Sequence, residues 1–244
     1  MKNTLLTRLL NTTRLVPLLV GALAFAGAST SQAAVITWST LVVDSTDTAG
    51  AGSGLGDLAV STNGTLIEAV NYGTQTDVTV NGVTFDGVSI DNAESPANYS
   101  NSFDEDAPNS ITGTSTGGII DTLTSTFSRT TSAATTGTLT GLTFGRDYEV
   151  QLIASFATIG RTTTFNDGNG NTLATSTNNP HAFAVGIFTA DATGTQTLNF
   201  PISTGSSFLN AYQLRDVTPV PEPSSLALLF LFSSSFLFTA RRRR

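Results

Sequence analysis

Short runs of alternating apolar and polar β-formers recur along the middle of this sequence, and Gly, Asn and Asp residues separate them. A two-residue period predicts a half-buried strand, because alternate side chains of a strand face the core and the solvent. In the first run, residues 35–43, one face carries the odd-numbered residues from Val35 to Val43 and the other carries Ile36, Trp38, Thr40 and Val42. About ten such runs between residues 35 and 217 predict an all-β chain, a single β-sandwich of jelly-roll type with little helix.

Turn residues bound most of the predicted strands. Asn81-Gly82 predicts a two-residue hairpin turn between strands 78–80 and 83–90, because both residue types tolerate positive φ. A further turn is predicted at residues 143–147, a long polar loop at 91–115, and one helix at 118–128 from the spacing of its apolar residues. The remaining predicted strands are 65–72, 138–142, 148–156, 161–165, 172–175, 182–189, 195–200 and 208–217.

The same alternation predicts a single core. Its expected members are Ile36 or Val43, Val83, Phe85, Val150, Leu152, Val185, Ile187, Leu198, Phe200 and Leu214.

Composition narrows the possible functions. The chain has 42 Thr, 22 Gly, one His and no Cys, which excludes disulfides, thiolate metal sites and a multi-His metal centre. Residues 35–218 hold 17 acidic and four basic residues, a net charge of −13 without any Lys. Such a surface disfavours binding to nucleic acid or to anionic lipid.

The N-terminal segment, residues 1–33, has the pattern of a secretory signal peptide. Lys2, Arg8 and Arg14 precede an almost wholly apolar stretch, residues 15–28. Ser31 and Ala33 are small residues at the −3 and −1 positions of a cleavage box, so we expect signal peptidase to cut after Ala33. The alternative is a membrane anchor that is retained.

The C-terminal segment, residues 219–244, has three parts in a fixed order. Pro221, Glu222 and Pro223 come first, and residues 224–240 follow without a charge and rich in Leu and Phe. Their number is at the lower limit for a transmembrane helix, which needs about 17–25 residues. Arg241, Arg242, Arg243 and Arg244 form a basic cluster that the positive-inside rule places in the cytoplasm.

This tripartite tail resembles the PEP-CTERM sorting signal of Gram-negative bacteria. The resemblance implies recognition near residues 221–223 by an exosortase, a membrane protease of transpeptidase type, which releases or transfers the protein to the cell surface. The predicted localisation is therefore a precursor anchored in the inner membrane, followed by a cell-surface or extracellular form. The alternative is a simple C-terminal anchor.

Six further segments, residues 63–71, 80–85, 141–143, 148–152, 186–191 and 209–215, are similar to a jelly-roll domain of exported planctomycete and verrucomicrobial proteins. That domain has a galactose-binding-like β-sandwich. The resemblance implies a fold and a cell-surface setting for residues 34–218, and it implies neither a ligand nor a catalytic residue.

Two acidic segments are weak candidates for metal binding. Asp167, Asn169 and Asn171 place oxygen ligands at alternate positions, as calcium loops do, but the distal bidentate Glu of an EF-hand is missing. Residues 104–106 form an acidic run that is more typical of a solvated loop. We expect no cofactor, with Ca²⁺ as the alternative.

Candidates for catalysis and carbohydrate binding are few. Glu68 and Glu149 are the only glutamates in predicted strands, where a glycosidase would need two carboxylates at a defined separation. Sugar binding needs an exposed aromatic platform, and Tyr99 alone lies in a predicted loop. The other aromatic candidates lie in predicted strands: Trp38, Tyr72, Tyr148 and Tyr212.

The interpretation that the sequence favours is a non-enzymatic, exported cell-surface or extracellular-matrix protein. Its expected partners are signal peptidase, an exosortase-type membrane protease and the inner membrane before processing. The first alternative is a carbohydrate-binding module for exopolysaccharide, and a weaker one is a polysaccharide hydrolase.

Overall fold

The structure is a computed structural model that describes residues 34–42, 55–93, 95–108, 119–130, 135–155, 162–176, 182–201 and 206–220. These ranges are mostly strand, which confirms the all-β prediction for this part of the chain. Within them, no helix is long and apolar enough to cross a membrane. The strands are β1 (Thr37–Val42), β2 (Thr65–Tyr72), β3 (Val78–Val80), β4 (Val83–Val88), β5 (Tyr99–Ser100), β6 (Glu105–Pro108), β7 (Thr126–Thr130), β8 (Thr135–Leu139), β9 (Asp147–Ala154), β10 (Thr162–Asn166), β11 (Thr172–Ser176), β12 (Ala182–Thr189), β13 (Gln196–Phe200), β14 (Ser207–Leu209) and β15 (Ala211–Asp216).

The largest sheet has seven strands in the order β1-β12-β9-β15-β2-β4-β3. All neighbours are antiparallel except β2 and β4, which run parallel. The last strand of the chain, β15, therefore occupies the middle of this sheet between β9 and β2. Two smaller sheets have the orders β11-β10-β13-β8-β5 and β14-β7-β6.

The larger hydrophobic core lies between the seven-stranded and the five-stranded sheet. Tyr148, Val150 and Leu152 of β9 point into it, and Tyr212 and Leu214 of β15 lie beside them. The five-stranded sheet contributes Leu139, Phe165, Leu198 and Phe200, and the three-stranded sheet contributes Phe127, Phe208 and Leu209. This arrangement is the sandwich that the alternating pattern predicts.

The expectation of a single core is wrong, because a second apolar cluster covers the other face of the seven-stranded sheet. Ile153 and Phe183 point to that face, and the β3–β4 hairpin packs there through Val80 and Phe85. Ala59, Val60, Ile120 and Leu123 also belong to the cluster. Asp57 links two of its segments, since its carboxylate accepts hydrogen bonds from the Ile119 and Ile120 amides at 3.3 and 2.9 Å.

The predicted helix at 118–128 is only partly correct. The α-helix, α1, spans Ile120–Leu123, and Thr124 closes it by donating its hydroxyl to the Ile120 carbonyl at 3.1 Å. β7 begins two residues later, and Thr126–Thr130 pair with Glu105–Pro108 of β6. The predicted loop at 91–115 therefore contains two strands, β5 and β6, which polar composition alone does not reveal.

The β3–β4 turn is as predicted. Asn81 and Gly82 both have positive φ, 49° and 76°, as a type I′ turn requires. The hydroxyls of Thr79 and Thr84 are 2.9 Å apart on the exposed side of the hairpin.

Candidate functional site

The C-terminal exit of the chain is fastened to the start of β9. The Val217 amide donates to the Asp147 carbonyl at 2.9 Å, and the Asp147 amide donates to the Thr218 hydroxyl at 2.8 Å. The Thr218 amide also donates to Asp216 Oδ1 at 3.0 Å. Two residues further, Val220 is 83% exposed, so the fastened part of the domain ends at Thr218.

An ion pair supports this exit. Arg146 Nε donates to Asp216 Oδ2, and the arginine side chain is the more exposed of the two. Burial raises the pKa of Asp216, but hydrogen bonds from Arg146 and Thr218 outweigh it and leave the pKa below its usual value. The hydrogen bond to Asp216 in turn raises the pKa of Arg146.

The N-terminal entry is fastened by the β10–β11 turn. The Ile36 amide donates to Asp167 Oδ2 at 3.0 Å, and Asn169 Nδ2 donates to the Ala34 carbonyl at 3.2 Å. Ile36 is buried in the larger core, whereas Val35 is 62% exposed. The predicted cleavage site, Ala33, lies outside the described residues, and Ala34 follows it directly.

The geometry of this turn gives Asp167 a structural task. Besides the Ile36 amide, its carboxylate accepts the amides of Asn169 and Asn171 at 2.8 and 3.1 Å and the Asn171 side chain at 2.7 Å. Burial raises the pKa of Asp167, but these hydrogen bonds lower it further than burial raises it. Asp167, Asn169 and Asn171 lie together, as the sequence predicts. Four N–H donors, however, already bind the Asp167 carboxylate oxygens that a calcium ion would need. Across the described ranges, no group of three or more His, Cys, Asp or Glu side chains could hold a metal ion.

The acidic run at residues 104–106 is also engaged within the fold. Glu105 forms a two-point ion pair with Arg129, at 2.7 and 3.1 Å, and the hydrogen bond from Arg129 lowers the pKa of Glu105. Asp106 accepts the hydroxyls of Ser89 and Ser128 at 2.8 and 2.6 Å. Both carboxylates join neighbouring strands or turns.

Strand register places both ends of the described domain, residues 34 and 220, at one end of the sandwich. Thr37 of β1 lies opposite Ile187, Ile187 opposite Glu149, and Glu149 opposite Arg215 near the end of β15. Three strand spacings of about 4.8 Å separate β1 from β15, which is about 14 Å in all. We call this region the terminal end, and it comprises residues 34–36, 143–147, 167–171, 190–195 and 216–220.

The two most exposed large apolar side chains in the described ranges, Val220 and Phe144, lie at the terminal end. Phe144 is 72% exposed at the tip of the β8–β9 turn, and Val35 and Val220 flank the two chain ends. Phe144 is two residues from Arg146, which pairs with Asp216, so it lies close to the chain exit. The sequence predicts the turn at 143–147 but gives no role to its Phe. A large apolar residue inside a turn is the signal that could have drawn attention to it.

The prediction that Tyr99 is an exposed platform is wrong. Tyr99 lies in β5, pairs with Leu139 of β8 and is only 1% exposed. Its ring centroid is 4.9 Å from that of Tyr212, and a Cβ on Gly137 would overlap it. The ring fills space that the glycine leaves open, so no sugar can stack on it. The other aromatic candidates are buried too, except Trp38, which is half-buried beside Phe165.

The structure does not bring the two strand glutamates together. The Glu68 carboxylate accepts the Tyr212 hydroxyl and the amides of Ala97 and Asn98, on the side of the larger core. Glu149 alternates with Tyr148 and Val150, which point into that core, so it projects from the opposite face of the sheet. The pair that a glycosidase needs is therefore not formed by Glu68 and Glu149.

The predicted sorting motif and basic cluster are not among the described residues. Pro221, Glu222, Pro223 and the cluster Arg241, Arg242, Arg243 and Arg244 lie outside the described residues.

The chain is similar to known proteins only over part of its structure. No protein-family model matches the chain, and no curated protein matches it in sequence. A Bacteroides uniformis β-glucuronidase is 17% identical, with a TM-score of 0.44, and the match covers 61% of this chain and 18% of that one. The β-glucuronidase 2 of the same organism, bound covalently to a cyclophellitol-6-carboxylate aziridine, is 18% identical at the same TM-score, covering 61% and 17%. The chain thus spans less than a fifth of the length of these enzymes, and a likeness of this strength carries no argument about activity.

Proposed function

We propose that this chain is an exported, non-enzymatic cell-surface or extracellular-matrix protein that is sorted through its C-terminal PEP-CTERM signal. Signal peptidase removes residues 1–33. Residues 224–240 hold the precursor in the inner membrane, and an exosortase-type protease then acts near residues 221–223.

One observation supports this proposal above the others. The β-domain is fastened at Thr218 by Asp147, and the Pro221-Glu222-Pro223 motif begins three residues later. A protease can therefore reach the motif without pulling β15 out of the sheet. The two prolines also suit an extended substrate, because proline lacks an amide hydrogen and restricts the residue before it.

We also propose that residues 34–218 have jelly-roll connectivity, that the signal peptide is helical and that residues 224–240 form a transmembrane helix. The carbohydrate-binding alternative has lost its best candidate, because Tyr99 is buried. The hydrolase alternative has lost the Glu68–Glu149 pair as its acid and nucleophile.

Substitution of the sorting glutamate tests the proposal. Glu222→Ala should leave a membrane-held precursor, whereas Asp86→Ala, which removes an exposed carboxylate on β4, should be processed normally. Both variants are expressed in a host that carries the sorting system, and the mature chains are weighed by intact-mass spectrometry. If the Glu222→Ala protein reaches the surface at normal level and mass, a simple membrane anchor replaces the sorting signal.

A further inference from the structure

We propose that the terminal end is a lipid-contact surface, which rests on the zwitterionic headgroup region of the membrane while the precursor is still attached. The contact is apolar and is made by Val35, Phe144 and Val220. This inference rests on the proposed function, because it requires residues 224–240 to lie in the bilayer.

The chain that connects the domain to the uncharged segment is short. Four residue steps separate Val220 from Ser224, the first residue of the uncharged segment, and an extended chain covers at most about 14 Å over that distance. The headgroup layer on each side of a bilayer takes up about 5–8 Å of it. The exit of the domain is therefore held within about 9 Å of the headgroups.

Both ends of the described domain lie at the terminal end. Both hydrophobic segments of the sequence connect to the same end of the sandwich, one through Ala34 and the other through Val220. Ala34 and Thr218 are each hydrogen-bonded to a turn of that end, so the attachment points are parts of the folded domain. A domain attached only at this end presents it, and no other surface, to the membrane.

The terminal end combines exposed apolar side chains with acidic ones. Phe144, Val35 and Val220 are three of the four most exposed large apolar side chains in the described ranges. Arg146 is paired with Asp216, and Asp147 and Asp191 add negative charge. An acidic rim with apolar tips favours zwitterionic phospholipid and disfavours anionic lipid.

The fourth residue of that group, Leu58, provides a matched control. It is 70% exposed, nearly the same as Phe144, but it lies on the side of the sheet that the smaller cluster covers. The carbonyl of the next residue, Ala59, accepts a hydrogen bond from Gln151, which is four residues along β9 from Asp147. Four strand residues correspond to about 13 Å along the sheet, away from the terminal end.

Site-specific fluorescence tests the inference, and the absence of native cysteine makes it simple. Phe144→Cys and Leu58→Cys are made in residues 34–244, the precursor that remains after residues 1–33 are removed, and labelled with an environment-sensitive nitrobenzoxadiazole dye. Each is reconstituted in phosphatidylcholine vesicles, with and without a quencher attached to the lipid. We expect the dye at position 144 to be quenched at least threefold more strongly than the dye at position 58. Both chains should remain folded, because both replaced side chains face solvent.

The outcomes separate this inference from the function on which it rests. If the chain floats with the vesicles and the two positions are quenched equally, the lipid-contact surface is refuted and the sorting proposal stands. If the chain does not float at all, residues 224–240 do not enter the bilayer and the sorting proposal fails with it. If quenching at position 144 appears only when phosphatidylglycerol is added, the assignment to zwitterionic lipid is wrong.

Discussion

The backbone amide of Asp147 donates a 2.8 Å hydrogen bond to the hydroxyl of Thr218, so the first residue of β9 holds the last residue of the fastened domain. Of the two described residues that follow Thr218, Pro219 and Val220, neither belongs to the two cores. The last residue that hydrogen bonds hold to the described domain is thus Thr218.

Loss of the Thr218 hydroxyl should loosen this boundary. Thr218→Val keeps the shape but leaves the Asp147 amide without its acceptor, which costs about 1 kcal/mol of unfolding free energy. Urea unfolding of the domain measures the cost, and limited proteolysis should show earlier cleavage near residue 218. Thr218→Ser retains the hydroxyl and should behave like the parent; equal loss in both variants would show that the methyl group, and not the hydrogen bond, matters.

Removal of the tail should leave the domain intact. A chain that ends at Val220 keeps both cores, so its melting temperature by circular dichroism should stay within about 3 °C of that of residues 34–244 held in detergent. A chain that ends at Asn210 lacks the middle strand of the seven-stranded sheet and should not fold. A folded domain in the second case would mean that β15 is dispensable.

Gly137 should tolerate no side chain. A Cβ at this position would overlap the Tyr99 ring, and overpacking of this kind costs about 1–3 kcal/mol. Gly137→Ala should therefore lower the urea midpoint clearly.

Tyr99→Phe should be neutral or slightly stabilising. The Tyr99 hydroxyl is buried without a hydrogen-bond partner in the described part of the chain, so its removal abolishes a desolvation cost. Chemical denaturation measures the change, and a loss above 1 kcal/mol would reveal a partner for that hydroxyl.

Asp167 should stabilise the domain fully above about pH 4 and progressively less as the pH falls below it. Its pKa in the folded state is lowered, so its contribution is complete above the unfolded value of about 3.9 and disappears as the pH falls through the folded value. Asp167→Asn should cost about 2 kcal/mol at pH 7, since hydrogen bonds to a charged acceptor are worth about 1.5–3 kcal/mol, and much less at pH 2. Unfolding curves at the two pH values test this.

Calcium gives an independent check on the same turn. Because four N–H donors face the Asp167 oxygens, millimolar Ca²⁺ should leave the melting temperature unchanged, and so should its removal by a chelator. A rise of several degrees with Ca²⁺ that Asp167→Asn abolishes would restore the metal-site hypothesis.

Alternation predicts the bounds of several strands. Those of β2, β3 and β12 match the prediction, and eight of the expected core positions are buried: Ile36, Val83, Phe85, Val150, Leu152, Leu198, Phe200 and Leu214. The prediction that Val185 and Ile187 belong to the core is wrong, because Val185 is half-buried and Ile187 is 40% exposed. Both faces of β12 are apolar or small, so the pattern cannot choose between them. The structure turns Gly186 toward the larger core because Ile36 and Trp38 pack over it, leaving no room for a Cβ.

Long-range pairing explains the other errors. Phe127 lies at helical spacing from Leu123, but pairing of β7 with β6, and the Arg129–Glu105 ion pair across it, favours a strand. Tyr99 lies in a polar stretch, and only the space above Gly137 shows that its ring is buried. Strand register also places the two ends of the described domain, residues 34 and 220, at the same end of the sandwich. Register between distant strands cannot be predicted from any single run of residues.

The middle position of β15 also determines when the domain can form. Glu68 of β2 and Tyr212 of β15 are in contact although 144 residues separate them in sequence. Until the final strand has been made, β2 and β9 have no common neighbour, and the sheet remains in two halves. Contacts so distant in sequence form slowly. In the sorting that we propose, the last strand to cross the membrane before residues 224–240 is the one that closes the sheet, so we expect the precursor to be anchored at nearly the same moment as it becomes able to fold.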